Sequence, residues 1–496
     1  MTYNSRPFIW NIAGSDSFGA AGVQNDIKTI TMHGCQCCQA LTAVTSQTPS
    51  KLLSSFVIPA HELASQLEAI GQGPKPKAIK IGMIGSRANL SVIREALSSV
   101  KVPVVLDPVS RASSGSSLAG DILPGDFFEF FTSNRVFLTP NIPEAEVLTG
   151  RPIETSEEIV QAAKFLLEKG ATQVLIKGGH SDSLEDISNH QSIDFYCDRS
   201  GLTFFIKSRR KQLDLRGTGC TLASAIAANL AHEHEPADAV VLAKAYLNQC
   251  FDTHEKVDAG IAIIKHLPLT LKADLLPEVE LGDRLSHTDF DESPTDKTGF
   301  YVIVDDSNWV SDLADWKVPS VQLRIKDLSH ENLSAEIKRS ILKVQGSTTK
   351  LYINDHWQLA IDLKAYGVHL GQEDLLTADI AAIKHAGLRL GISTHSWFEA
   401  AIAHRYRPSY IALGPIFPTT CKSMRFGPQG FEKLKLWKES WRYPVVAIGG
   451  LKVEHAEELN KCGVDGVAVI SDITKAGDPR SQVKAWITFL EQLEQQ

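Results

Sequence analysis

The chain has 496 residues, of which 43% are hydrophobic and 22% charged, and its formal net charge is −8. These values describe a folded chain of about two to four domains. They exclude a basic nucleic-acid binder, and no stretch reaches the roughly 20 consecutive apolar residues of a membrane span.

Residues 8–13 form an apolar run of strand length that leads into Gly14-Ser15-Asp16-Ser17 and then into Gly19 to Asp26. Cys35, Cys37 and Cys38 follow, but no second Cys/His pair stands at zinc spacing, so they read as small residues of an apolar context. Runs 78–81 and 104–106 come next, the latter ending in Asp107-Pro108. Run 136–138 ends in Thr139-Pro140-Asn141, with Glu144 three residues on, and run 174–176 ends in Lys177-Gly178. Strand-like runs alternating with helix-like segments predict an open, mainly parallel α/β sheet. Ligands of such a sheet lie beyond the carboxyl ends of its strands, where Asp107, Asn141, Glu144 and Lys177 fall.

At 216–225 stands RGTGCTLASA, which opens an Ala-rich helical run over 222–230. A helix start leaves N–H groups without intrahelical partners at the positive end of the dipole, a setting that suits phosphate. A glycine-rich connector would look the same in isolation. The chain has neither GxxxxGK[ST] nor GxGxxG, so a phosphate site in this half needs another anion hole. Gly217, Thr218, Gly219 and Cys220 supply one.

AGSDSFGAAGVQNDIK at 13–28, Gln47, KIGM at 80–83, LDPVS at 106–110, LTPNIPEAEVL at 138–148, KGGH at 177–180 and GTGCTLASA at 217–225 resemble the ribokinase-like family, and within it hydroxymethylpyrimidine/phosphomethylpyrimidine kinases. The resemblance covers about residues 8–265. It implies an α/β sandwich that phosphorylates a pyrimidine alcohol and then its monophosphate with ATP and Mg²⁺. Asp26 and Gln47 would grip the pyrimidine. Asn141 and Glu144 would position Mg²⁺ and its waters, and Lys177 would contact nucleotide phosphate beside Thr218. Gly217 to Cys220 would stabilise the moving phosphoryl group, and the Cys220 thiol could act as base once ionised, which a helix N-terminus favours. Ser113-Ser114-Gly115 and Arg216 depart from the family's usual Lys and His, with Arg111 as the expected replacement for the missing lysine charge.

Residues 269–298 lose hydrophobic period, and 286–298 are rich in Asp, Ser, Thr and Pro, as an exposed linker would be. The expected domains are 1–268 and 299–496. From Phe300 onward eight apolar runs recur, at 300–304, 321–325, 351–353, 367–370, 390–392, 410–413, 445–448 and 466–470. Helix-like segments such as 357–365, 397–404 and 453–461 separate most of them, which predicts a TIM (β/α)8 barrel with its active site at the carboxyl rim. Polar residues gather at the run ends. Asp355 and Asp374 are hard oxygen ligands suited to Mg²⁺. Arg324, Lys326 and Lys422 are cations for a diphosphate, and strand alternation points Gln322, Arg324 and Lys326 to one side. Gly449-Gly450 and the turn at Ser471 offer N–H groups for a second phosphate.

QLRIKD at 322–327, IND at 353–355, GVHLGQED at 367–374, GIST at 391–394, LGPIFPTTCK at 413–422, AIGG at 447–450 and VISDI at 469–473 resemble thiamine-phosphate synthases. This resemblance implies joining of a hydroxymethylpyrimidine diphosphate to a thiazole phosphate with loss of pyrophosphate. Gln322, Arg324, Lys326, Asn354 and Lys422 would hold the pyrimidine diphosphate, and Ser393 would face the pyrimidine. Asp355 and Asp374 would hold Mg²⁺. Thr419, Gly450, Ile470 and Ser471 would contact the thiazole phosphate, with Cys421 where a phosphate-binding hydroxyl is usual. Two resemblances thus meet on successive steps of thiamine biosynthesis. The alternatives are a pyridoxal-type kinase in the first half, or one half serving as a binding module. Residues 1–6 lack a secretory leader pattern, so the expected compartment is the cytoplasm. The expected partners are small molecules, with no nucleic acid or membrane, and a homo-oligomer is left open.

Overall fold

The computed structural model describes residues 6–48, 51–109, 120–178, 191–209, 213–258, 261–286, 288–326, 329–418 and 426–494. They form two compact units, residues 1–287 and 288–496.

The strands of the first unit are β1 (Phe8–Asp16), β2 (Gln36–Gln47), β3 (Leu52–Val57), β4 (Ala78–Ile81), β5 (Val104–Leu106), β6 (Val136–Leu138), β7 (Gln173–Ile176), β8 (Gln191–Asp198), β9 (Thr203–Arg209), β10 (Asp214–Arg216), β11 (Glu255–Asp258), β12 (Ile261–Ile263) and β13 (Glu278–Leu281). Ten of them make one sheet in the order β13-β9-β8-β7-β6-β5-β4-β1-β2-β3. Its centre, from β2 through β1 and β4 to β7, is parallel. Pairings at both flanks are antiparallel. The chain winds one way from β1 to β2 and the other way from β4 onward. The crevice between β1 and β4 is therefore a topological switch point, where such sheets bind ligands.

Strands β4, β5 and β6 are apolar runs because both faces are covered, and Ile79, Ile81, Val104, Leu106, Val136 and Leu138 are buried in one core. In the helix Thr218–Ala231 every residue from Thr221 to Ala231 is buried. Its alanines let it pack closely as an internal helix, which an amphipathic surface helix could not do.

The second unit is a closed barrel of parallel strands: β14 (Gly299–Val304), β15 (Ser320–Leu323), β16 (Lys350–Asn354), β17 (Gly367–Leu370), β18 (Arg389–Thr394), β19 (Tyr410–Leu413), β20 (Val445–Ile448) and β21 (Gly466–Val469). Helices between the strands complete the (β/α)8 arrangement. Several begin with sequence-encoded caps: Asp306 accepts from the N–H groups of Asn308 and Trp309, and Ser396 from that of Glu399. Three tyrosines, Tyr301, Tyr352 and Tyr410, fill the barrel interior with Ile303, Ala412, Val446 and Ala468. Glycines make room for them. A Cβ at Gly391 would lie 2.1 Å from Cζ of Tyr410, and one at Gly367 would lie 2.7 Å from the ring of Tyr352.

The stretch 269–298, expected as an exposed linker, is divided between the two units instead. Strand β13 pairs with β9 and buries Val279, while Lys207 bonds Glu280 at 2.9 Å and the Ser286 carbonyl at 2.8 Å. On the barrel side Asp296 is buried, accepting from Tyr352 at 2.5 Å and Tyr366 at 2.8 Å and pairing with Lys350. Polar composition misled because these polar groups are matched. Strand β15 also stops earlier than expected, at Leu323. Arg324 keeps one more ladder bond, from its N–H to the Val304 carbonyl at 2.7 Å, and Lys326 is exposed.

Gly391→Ala is expected to overpack the tyrosine layer and cost about 3 kcal/mol of barrel stability. Urea unfolding followed by tyrosine fluorescence checks this; an unchanged midpoint would contradict the packing.

Candidate active sites

In the first unit the chain after β1 folds back on Asp16. Its carboxylate accepts from the N–H groups of Phe18, Ala20 and Ala21 at 2.8–3.0 Å. This closes the loop that carries Gly22, where a Cβ would meet the Gly14 carbonyl at 2.4 Å. Gly217 caps the helix Thr218–Ala231 with φ of 84°, and a Cβ there would collide with the Ala20 carbonyl at 2.2 Å. Left-handed backbone and close approach both require glycine at this turn. The first intrahelical bond runs from Thr221 N–H to the Gly217 carbonyl, so the N–H groups of Thr218, Gly219 and Cys220 precede the ladder.

Against this helix start stand the ends of β5 to β7. Lys177 Nζ lies 2.7 Å from Asp107 Oδ1. A Cβ at Gly219 would meet Lys177 Nζ at 3.4 Å and Asp107 Oδ2 at 3.7 Å. The missing side chain thus leaves the helix start open toward one cation. Burial draws the Lys177 ammonium down, but Asp107 and Glu144 outweigh it and hold the group above its ordinary value. Asn141 and Glu144 form a capping box: the Asn141 side chain accepts from Glu144 N–H at 2.9 Å, and Glu144 accepts from Asn141 N–H at 2.8 Å. Lys177, Asp107, Asn141, Glu144, Thr218 and Gly219 are therefore brought together. Gln47 sits at the end of β2, its main chain exchanging hydrogen bonds with the Ser17 hydroxyl at 2.9 and 3.1 Å.

Asp26 is fully buried, 2.6 Å from Lys80 Nζ and accepting from the Ser224 hydroxyl at 2.8 Å. It faces inward because the helix Gly22–Met32 packs this side against β4 and the helix Thr218–Ala231. Cys220 stands at the helix start, the setting expected to favour a thiolate. Burial pushes this thiol up to about 12; Lys80 and a hydrogen bond from Gly22 pull it down, while Asp26 and Asp107 push it further up.

Lys80 was unassigned in the sequence, although a lysine in the apolar run 78–81 was a visible anomaly. Burial draws its ammonium down, but Asp26, Cys220 and Asp107 together hold it above its ordinary value. Asp107 was placed at a strand end without a role; it anchors Lys177.

At the barrel rim Asp355 follows β16 with φ of 62°, an unfavourable value for a side-chain-bearing residue. Its carboxyl is pushed up to about 6 by burial, by the charge of Asp374 and by a hydrogen bond with it, against the pull of Lys326 and His356. Asp374 is itself fixed by the Gly371 N–H at 3.0 Å. Two oxygen-donor carboxylates that repel one another fit a divalent cation, which would relieve that repulsion. Gln322 and Asn354 are buried on β15 and β16, and Ser393 is partly buried on β18. Gln372 donates to the Ser393 carbonyl at 2.7 Å. His369, within the quoted GVHLGQED, was also unassigned; it contacts Ser393 at 2.8 Å, and burial lowers its ring to about 4. Gly450 has φ of 69°, and a Cβ there would meet Phe417 Cβ at 2.7 Å. Ile470 and Ser471 open the short helix after β21. Thr419, Cys421 and Lys422 lie outside the described residues, as do Arg111, Ser113 and His180.

A family model described as phosphomethylpyrimidine kinase matches residues 16–265, and one described as thiamine monophosphate synthase matches residues 300–473. The thiamine-phosphate synthase of Neisseria meningitidis serogroup A is 49% identical over 188 residues, which are 38% of this chain and 92% of that protein. That of Photorhabdus laumondii is 48% identical over 204 residues, 41% of this chain and 94% of that protein. Among solved structures, phosphomethylpyrimidine kinase from Clostridium difficile is similar at 30% identity with a TM-score of 0.43, covering 50% of this chain and 100% of that one.

Lys80→Met would leave Asp26 buried without its partner and is expected to cost about 3–5 kcal/mol, with Asp26→Leu added to it restoring most of the loss. Urea unfolding of wild type and both variants tests this; equal stability of Lys80→Met and wild type would contradict the pair's role. At pH 8 iodoacetamide should alkylate Cys220 at least about tenfold more slowly than free cysteine. Peptide mass spectrometry reads that rate, and labelling as fast as free cysteine would show that the helix start outweighs burial.

Proposed function

The chain belongs to the phosphomethylpyrimidine kinase family through its first unit and to the thiamine-phosphate synthase family through its second, and we propose how this bifunctional enzyme of thiamine biosynthesis divides its chemistry. The observation that carries the reading is the presence of both families in one chain. The diphosphate made by the first reaction is the electrophile used by the second.

In the first unit ATP donates a phosphoryl group to the hydroxymethyl oxygen of the pyrimidine, and a second round extends the monophosphate to the diphosphate. Each transfer breaks the β–γ bridge of ATP and forms one P–O bond. The reaction develops negative charge on the moving group, and preset N–H dipoles stabilise such charge without reorganising. The N–H groups of Thr218, Gly219 and Cys220 supply them, with Gly217 shaping the turn. Lys177, held by Asp107, contacts the nucleotide phosphates. Asn141 and Glu144 would position Mg²⁺ when it is bound, and Gln47 faces the pyrimidine. Asp26 acts at one remove, holding Lys80 and Ser224 beneath the site. Cys220 contributes its N–H, and burial of its thiol opposes ionisation.

In the barrel the C–O bond of the pyrimidine diphosphate breaks and pyrophosphate leaves with the electron pair. The thiazole nitrogen then bonds to the methylene carbon. Arg324, Lys326 and Lys422 hold the diphosphate with Asn354, while Gln322 and Ser393 hold the pyrimidine. Asp355 and Asp374 would hold Mg²⁺, which when bound neutralises charge on the leaving group. Thr419, Gly450, Ile470 and Ser471 receive the thiazole phosphate. We assign the enzyme to the cytoplasm; among the described residues no helix is long and apolar enough to cross a membrane.

Purified protein given hydroxymethylpyrimidine, thiazole phosphate and MgATP is expected to form thiamine phosphate. Lys177→Ala should slow formation from the alcohol at least about 100-fold yet spare coupling from supplied diphosphate, and Asp355→Asn should do the reverse. Loss of both activities from either single change would contradict the division. Phosphorylation of pyridoxal in preference to the pyrimidine would replace the first half of the reading.

A further inference from the structure

The barrel interior holds a hydrogen-bonded chain that joins strands on opposite sides of its mouth. Gln322 Nε2 donates to the Tyr301 hydroxyl at 3.1 Å. The Tyr301 and Tyr410 hydroxyls are 3.0 Å apart, and Tyr410 meets His369 Nδ1 at 2.8 Å. His369 Nε2 then meets the Ser393 hydroxyl at 2.8 Å. Tyr301 and Tyr410 are 1% and 0% exposed, so water does not compete for these bonds. The absent Cβ of Gly391, which would stand 2.3 Å from the Tyr410 hydroxyl, leaves the space through which the chain passes.

Proton counting links the directions to one another, so the whole order follows from the Gln322 amide orientation. A tyrosine hydroxyl has one hydrogen to give, and a neutral imidazole has one N–H and one acceptor nitrogen. If Gln322 donates to Tyr301, then Tyr301 spends its hydrogen on Tyr410, and Tyr410 spends its own on His369 Nδ1. The imidazole hydrogen must sit on Nε2 and point to Ser393. The serine oxygen is then an acceptor inward, and its own hydrogen is available outward. The same order leaves Gln322 Oε1 as that side chain's remaining acceptor. Reversing any one bond reverses all of them.

We propose that Tyr301, Tyr410 and His369 form a one-directional relay that sets Gln322 as an acceptor and Ser393 as a donor toward the ligand, making Tyr410 and His369 positioning residues for an aminopyrimidine. An exocyclic amino group gives a hydrogen to the first, and a ring nitrogen takes one from the second. This rests on the reading that Gln322 and Ser393 hold the pyrimidine. It explains why a protein would place tyrosines and a histidine in a barrel core where aliphatic side chains would fill the volume without polar atoms to satisfy.

Two measurements on the full-length enzyme test it. Nitrogen-15 NMR of histidine-labelled protein, with the His369 signal identified by its loss in His369→Gln, should show the Nε2–H tautomer; an Nδ1–H tautomer overturns the stated direction. That result needs no altered barrel in the measured sample. Tyr410→Phe keeps the ring and removes the relay's centre. It should raise KM for the pyrimidine diphosphate about tenfold, the loss of roughly one buried hydrogen bond, while KM for thiazole phosphate stays unchanged. A structural defect alone would move both constants together. Ser393→Ala separates the two ideas. If it raises the pyrimidine KM and Tyr410→Phe does not, the relay is wrong. If Ser393→Ala leaves that KM unchanged, the placement of the pyrimidine is wrong.

Discussion

Parallel strand pairing is the constraint on which both units depend. Strands that run the same way deliver their carboxyl ends to one edge, and everything that follows a strand must leave from there. In the first unit this brings Asp107, Asn141 and Lys177 from three adjacent strands to one helix start. In the barrel it brings Asp355, after β16, and Asp374, after β17, close enough for their charges to conflict. No local sequence preference produces either convergence.

Buried polar groups then fix what the strands have brought together. Asp26 and Lys80 tie the first helix of the kinase unit to β4, and Ser224 adds the long helix that begins at the glycine turn. Asp194 and Lys244 pair at 2.7 Å, and Asp194 also accepts the Gly178 N–H at 3.0 Å, steadying the chain beside Lys177. Asp296 does comparable work in the barrel, where it collects two tyrosine hydroxyls and Lys350. Each such group is costly to bury alone and acceptable only when matched. The matching therefore locks geometry more firmly than apolar packing would.

Much of the fold was legible because buried parallel strands are continuous apolar runs. Residues 78–81, 104–106, 136–138, 367–370, 410–413 and 445–448 are strands in the structure with those same bounds. The flanking strands were not legible. Strand β3 keeps Leu53 and Phe56 exposed, and β13 reads Glu-Val-Glu-Leu inside a polar stretch, so neither shows a clean pattern. Among the expected site residues, Gly219 and Lys177 stand close together, and Asp26 is buried against Lys80. Lys80, Asp107 and His369 lay within or beside quoted motifs, yet nothing local tells a buried partner from a residue that faces a ligand.

The sequence by itself determined the two-part α/β organisation, the barrel and the glycine turn at a helix start, and its motifs carried the resemblance to two families. These follow from hydrophobic period, strand-end residues and motif spacing, which are local properties of the chain. Only the tertiary structure decided which polar residues face outward, that burial opposes ionisation of the Cys220 thiol, and that residues 269–298 belong to the two units on either side. Those outcomes depend on burial and on partners distant in sequence, such as the 198 positions that separate Asp26 from Ser224. A charge's role is set by what surrounds it after folding.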